Sequence, residues 1–321
     1  MRTKLLIAML LLFGMAANMK GQGVTVTQDG IIYTLSSEGD TPYATVTGVE
    51  DRALIEAVIA SSVESDGQLV PVTSIGRHAF WDCKSLTSVT ISEGVIHIWN
   101  GAFGRCSSLT SIEFPSSMDS FSEEVFYECT SLVSIILPGR MTSIEDATFD
   151  GCTSLTSVTI PSGVVFIGSR CFSDCTSLAS IELPAGVNKI EEYAFHGCTA
   201  LADIFCHGQK PATIEAGVFD PETCINATLY VPKGSKATYA AADGWKDFVR
   251  ITESESMAIT VTEVGEPRIL GATLYTPDGK KVRTLTAEEA QSIETLTAPQ
   301  RGIYLLVTQT DRGVETRKVI K

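Results

Sequence analysis

MTSIEDATFDGCTSLTSVTIPSG, residues 141–163, is one of six consecutive 23-residue blocks that share a pattern without insertion or deletion. Before it stand VTSIGRHAFWDCKSLTSVTISEG (72–94), VIHIWNGAFGRCSSLTSIEFPSS (95–117) and MDSFSEEVFYECTSLVSIILPGR (118–140). After it come VVFIGSRCFSDCTSLASIELPAG (164–186) and VNKIEEYAFHGCTALADIFCHGQ (187–209). Each block opens an L-x-x-V/I-x-I/L run at Leu86, Leu109, Leu132, Leu155, Leu178 or Leu201, and its alternation turns three side chains inward. Phe80, Phe103, Phe126, Phe149, Phe172 and Phe195 form a second inward column. Ile75, Ile98, Phe121, Ile144, Ile167 and Ile190 form a third. One block cannot bury these groups alone, but stacked blocks can, because each covers its neighbour's open face. The fold expected is a mainly β repeat solenoid with stacked parallel strands.

The repeat resembles the BspA-like leucine-rich-repeat family, whose pattern "V-T-S-I-G-x-x-A-F-x-x-C-T-S-L-T-S-V-T-I-P" residues 141–163 follow closely. The likeness spans about residues 24–251. It implies an N-terminal cap over 24–71, where GIIYTL, ATVTGV and LIEAVIASSV supply irregular strands. It also implies an imperfect repeat and C-terminal cap over 210–251. There Ile214 and Phe219 are expected to keep the repeat phase and LYVP (229–232) to slip by one residue, with Tyr239, Trp245 and Phe248 closing the core. Trp99 departs from the pattern where glycine is usual, and the third block lacks both that glycine and the opening valine.

At 321 residues, 44% hydrophobic and 19% charged, the chain has a globular composition. Its net charge of −14 is uneven: residues 24–251 hold 28 acidic against 12 basic side chains, and residues 252–321 hold 10 against 9. The acidic solenoid and the lack of a basic stripe argue against nucleic acid as a partner. At the start, Arg2 and Lys4 precede the apolar run Leu5–Phe13 and small residues at Gly14, Ala16 and Ala17. This predicts a signal peptide over residues 1–23, too short to span a bilayer, and hence a secreted or surface-displayed chain without a transmembrane segment.

Cys83, Cys106, Cys129, Cys152, Cys175 and Cys198 recur with the repeat. Neighbours on a strand ladder lie about 5 Å apart, but their parallel side-chain directions suit small buried thiols better than disulfides. Cys171 fills a small-residue position, while Cys206 and Cys224 leave a bridge open. His196, Cys198, Cys206 and His207 are the one cluster with zinc-like spacing, but the two cysteines belong to inward columns, so no metal site is expected. No hydrolase, P-loop or zincin motif occurs, so neither a cofactor nor catalysis is expected. Asn226-Ala-Thr228 is a glycosylation sequon of a kind that chance produces often.

Past the linker ESESMA (253–258), the stretches AITVTEV, GATLYTP, KKVRTL, RGIYLLVTQ and VETRKVIK alternate with period two. They read as a small antiparallel β-sandwich over 252–321. Tyr275, Asp278, Gly279, Lys280, Val282, Gly302, Ile303, Tyr304 and the closing run at 318–321 resemble the C-terminal sorting domains of the type IX secretion system. That resemblance implies surface attachment, while a plain spacer or capping module is the alternative.

Outward strand positions are mostly small: Thr87, Thr110 and Thr156, with Ser88, Ser111, Ser134, Ser157 and Ser180. Glu113, Ile136, Glu182 and Phe205 stand out in one column, and Trp81, Trp99 and Tyr127 project near turns. These seven are the candidate binding residues, aromatic side chains being favoured interface anchors. The family resemblance implies adhesion to an extracellular or host protein. A flat Thr/Ser face offering hydroxyls to a glycan, or a surface scaffold, is the second reading.

Overall fold

The structure, a computed structural model, describes residues 23–38 and 41–254, and the strands Ile269–Tyr275, Lys281–Leu285, Ile303–Thr310 and Gly313–Ile320. The chain divides into two units, Met1–Met257 and Ala258–Lys321. The apolar segment expected to direct export lies outside the described residues.

The first unit is a solenoid with two ladders of parallel strands. The wider ladder carries the six L-x-x-V/I-x-I/L runs, at Ser88–Ile91, Ser111–Glu113, Ser134–Ile136, Ser157–Thr159, Ser180–Leu183 and Asp203–Cys206, with Glu56–Ile59 before them and Thr228–Pro232 and Arg250–Ser254 after. The narrower ladder holds the isoleucine column, in two-residue strands such as His97–Ile98, Phe166–Ile167 and Lys189–Ile190. Register follows the repeat, with Ser134 opposite Ser157 and Ile167 opposite Ile190. Burial follows the pleat, as in Ser88–Ile91, where Val89 and Ile91 are buried and Thr90 is exposed.

Between the ladders the phenylalanine column is completely buried from Phe80 to Phe195. Its rings stack nearly parallel, with centroids 5.0 Å apart at Phe80–Phe103, 5.8 Å at Phe103–Phe126 and 5.3 Å at Phe172–Phe195. Beside it runs the thiol column. Cys106 Sγ donates to the Phe80 carbonyl at 3.1 Å, and Cys129, Cys152, Cys175 and Cys198 each repeat the bond one turn further on. A thiol is small enough for this corner and adds a second, weak donor to a carbonyl that already accepts a backbone amide, as Phe80 does from Cys83 at 3.1 Å. All nine cysteines are buried and free, Cys206 and Cys224 included. Burial pushes the Cys198 thiol up to about 12 and holds Cys129, Cys152 and Cys175 well above the ordinary thiol range.

The ends of the stack are covered differently. Val24–Gln28, Ile31–Glu38 and Thr41–Val49 form an antiparallel meander, whose last strand pairs in parallel with Gln68–Ile75. At the other end Phe219 continues the ring column and meets Phe248 edge-on at 5.2 Å, which ends the parallel stacking. Trp245 Nε1 donates to the Ala212 carbonyl and Tyr239 Oη to the Gly208 carbonyl, both at 2.8 Å. These bonds satisfy the polar tips of large buried rings.

The expected phase of the last turn needs correction. Ile214 pairs with Ile190 and Leu229 with Ile204, spacings of 24 and 25 residues rather than 23. One residue is therefore inserted before Ile214, so Ile214 and Phe219 keep the columns but not the period, and a second insertion follows before Leu229. The helix Pro221–Asn226 takes up the second insertion without disturbing strand pairing.

In the second unit the described strands form one antiparallel sheet, in which Ile269–Tyr275 pairs with both Lys281–Leu285 and Ile303–Thr310, and Ile303–Thr310 with Gly313–Ile320. The strand expected at 258–264, and Asp278, Gly279, Lys280 and Gly302 of the sorting-like pattern, lie outside the described residues, which contain no second sheet layer for a sandwich.

Two outcomes follow from the stacked core. Phe149 stacks on Phe126 and Phe172, whereas Phe80 stacks on Phe103 alone. Phe149→Ala should cost about 3–5 kcal/mol and Phe80→Ala distinctly less. Urea midpoints measure both, and equal losses would contradict nearest-neighbour stacking. Thiol labelling without reductant should modify few cysteines in the native protein and all nine after denaturation. A denatured protein that labels at only a few would reveal bridges.

Candidate functional site

The seven candidate residues separate into three places. Glu113, Ile136, Glu182 and Phe205 lie on the outward side of the wider ladder, in a row that also holds Val58, Thr90, Thr159 and Tyr230. Ile136 is 73% exposed, and Val133 beside it is exposed too. On the first wide-ladder strand and just before it, Val58 and Ile55 make a second exposed apolar pair. Near the far end Phe205 and Tyr230 stack at 4.6 Å with an interplanar angle of 11°. The face thus alternates apolar islands with short polar side chains.

Three threonines at the start of these runs are already engaged. Thr87, Thr110 and Thr156 donate their hydroxyl hydrogens to the carbonyls of Ile55, Thr87 and Val133 on the preceding turn, each at 3.0 Å.

Trp81 and Tyr127 come together at a turn edge two repeats apart. Position 104 between them is glycine, and a Cβ there would overlap the Trp81 ring at 2.2 Å. The indole leans across that gap until its ring lies parallel to Tyr127, with centroids 6.1 Å apart. The Arg105 guanidinium sits 5.8 Å from one ring and 6.0 Å from the other, and its Nε pairs with Glu128 at 3.0 Å. A hydrogen bond with the Glu128 carboxylate raises the Tyr127 phenol above its usual range. Trp99 stands apart, half exposed and edge-on to His97 at 4.3 Å. His97 in turn bonds the hydroxyls of Ser120 and Ser122 at 2.7 and 3.0 Å. Burial lowers its pKa, so the ring favours the neutral form.

Some polar groupings were not anticipated. His196 Nδ1 lies 2.7 Å from Asp220, which also accepts the Gly197 amide, and His207 lies 3.4 Å from Glu182. Each joins residues one repeat or more apart, so only the repeat frame could have signalled them, extended through the first insertion in the case of Asp220. Cys198 and Cys206 both face the core, and among the described residues no cluster of three or more His, Cys, Asp or Glu could hold a metal ion. Among the same residues no helix is long and apolar enough to cross a membrane.

A solenoid with two parallel ladders, a phenylalanine spine and one open outward face defines a leucine-rich-repeat protein. The model of the BspA type leucine rich repeat region matches in six copies over residues 73–202 and 125–237, and the chain belongs to that family. Among solved structures, a leucine-rich-repeat protein of Treponema pallidum is 30% identical, covering 60% of this chain and 86% of its own, with a TM-score of 0.51. A leucine rich cell surface protein from Faecalibacterium prausnitzii is 19% identical over 73% of this chain and 96% of its own, with a TM-score of 0.39. The pneumococcal vaccine antigen PcpA is 12% identical over 73% of this chain and 100% of its own, with a TM-score of 0.38. No curated protein matches the chain.

Asp150, near Arg170 and the acids Asp174 and Glu128 on the turn edge, has its pKa raised to about 6, chiefly by burial and then by Asp174. A carboxyl held above its unfolded value stabilises the fold most at low pH, and that contribution fades as pH climbs from about 4 through 6. Asp150→Asn should therefore raise the melting temperature at neutral pH, and the gain should vanish near pH 4. Melting curves at both values check this, and an equal gain at both would remove the charge as its cause.

Proposed function

We propose that this chain is an exported, surface-displayed or secreted protein that binds an extracellular or host protein through the outward face of its wider ladder. The observation that carries the reading is the row itself. Exposed Val58 and Ile136 and the Phe205–Tyr230 stack stand in one row, with Thr90, Glu113, Thr159 and Glu182 between them. Apolar and aromatic anchors on a preformed surface lose little entropy on binding, which is the economy of a protein interface. The engaged threonine hydroxyls favour a protein over a sugar on this face. The reading has the chain act by binding, without catalysis or a cofactor. The leader-like first residues and the sorting-like pattern over 252–321 support export and attachment, and the surface description of the Faecalibacterium protein agrees with that destination.

One observation favours the glycan reading at a separate place. The parallel Trp81 and Tyr127 rings with Arg105 form an aromatic patch against which a sugar could stack. Immobilised full-length protein, probed with purified extracellular matrix and plasma proteins and on a glycan array, separates the two. The proposal expects saturable protein binding that falls at least about tenfold in Ile136→Asp and in Phe205→Ala, with Trp81→Ala unaffected. Glycan binding that Trp81→Ala abolishes, with no protein bound through the row, would overturn it.

A further inference from the structure

We propose that a cavity at the end of the wide-ladder strands, spanning the fourth to sixth repeats, receives a lysine or arginine side chain of the protein partner. The inference deepens the reading of the outward row and rests on it. The cavity has a volume of about 330 Å³ and is lined by Ile160, Ser162, Glu182, Pro184, Ala185 and His207. Ligand pockets run from roughly 300 to 1,000 Å³, so this one lies at the small end and has room for a single long side chain.

Its origin is visible in the repeat. The repeat position that closes the wide-ladder run is serine at 92, proline at 115, 138, 161, 184 and again at 232, but histidine at 207. The proline ridge is broken at that turn. The His207 ring turns toward Glu182, and the apolar surfaces of Ile160, Pro184 and Ala185 are left uncovered.

The lining has two characters. Ile160, Pro184 and Ala185 make apolar walls, while the Glu182 carboxylate is the one acidic group of the lining. Its carboxylate lies 3.4 Å from His207 Nε2 and keeps more than a third of its side-chain surface open. Lysine and arginine match both characters, because their aliphatic stems lie along apolar surface while their heads reach a carboxylate. A purely aliphatic group would cover Glu182 without pairing its charge, which costs free energy. An acidic group would meet that carboxylate on a solenoid with 28 acidic against 12 basic side chains between residues 24 and 251. Glu182 is also paired across the ladder with Phe205, so the cavity opens beside the Phe205–Tyr230 stack. A basic residue flanked by an apolar one would engage both.

The test uses full-length protein and short fluorescent peptides that differ only in a central residue between leucines: lysine, arginine, norleucine or glutamate. Fluorescence anisotropy should show the lysine and arginine peptides binding at least about tenfold more tightly than the norleucine peptide. Glu182→Gln should erase that preference, while Glu64→Gln, an exposed carboxylate on the strand Ser62–Ser65 outside both the row and the cavity, should preserve it. Glu182 is partly exposed, so the variant should fold, and its melting curve confirms this before titration. Equal binding of norleucine, a preference that survives Glu182→Gln, or no peptide binding would each overturn the proposal. If that happens while protein capture still depends on Ile136 and Phe205, the cavity assignment alone falls and the reading of the row stands.

Discussion

A single turn of this chain cannot enclose its own apolar side chains, and every other feature of the solenoid answers that constraint. Each turn offers one phenylalanine ring, one leucine and one isoleucine column residue, with the open side covered only by the next turn. The phenylalanine rings meet face to face at 5.0–5.8 Å because the strand ladders set a repeat of about 4.8 Å, and flat rings tilted slightly to the axis fill it. The thiol–carbonyl bond belongs to the same logic. It ties each turn to the one before through the second acceptor site of a carbonyl whose first is filled by a backbone amide of its own turn.

Stacking of this kind has no natural end, so the termini must stop it. At the C-terminal end the geometry changes from parallel rings to the edge-on meeting of Phe219 and Phe248, with Trp245 and Tyr239 returning hydrogen bonds to the last turns. A further parallel ring would invite another copy of the chain, whereas the edge-on ring and the anchored indole do not present the same surface. The antiparallel meander does the equivalent at the N-terminal end by changing strand direction.

Most of the fold was legible in the sequence because the repeat is literal: a residue type at a fixed interval is a column, and a column is a face. Legibility failed where the interval changed. The insertions before Ile214 and Leu229 are absorbed in turns, so the columns survive while counting by 23 goes astray. The candidate site was legible in part for the same reason. Glu113, Ile136, Glu182 and Phe205 could be grouped because they share a repeat position, but the approach of Trp81 to Tyr127 depends on a missing side chain at Gly104. Likewise the cavity depends on what His207 is not. Absences of bulk leave no mark in a pattern that records what is present.

The surface therefore gains its individuality from exceptions to the repeat. Where the consensus holds, the outward side is threonine and serine, with the threonine hydroxyls turned back onto the preceding turn. Such a face repeats the same short side chains from turn to turn, and it has little to distinguish one ligand from another. Ile136, Phe205, Tyr230 and His207 each replace a small or fixed residue without altering the columns beneath, because side chains on opposite faces of a strand are independent. A repeat solenoid can thus vary its outward row at almost no cost to its core. The same independence makes the row a better guide to the partner than the fold, since the fold would be unchanged if the row were blank.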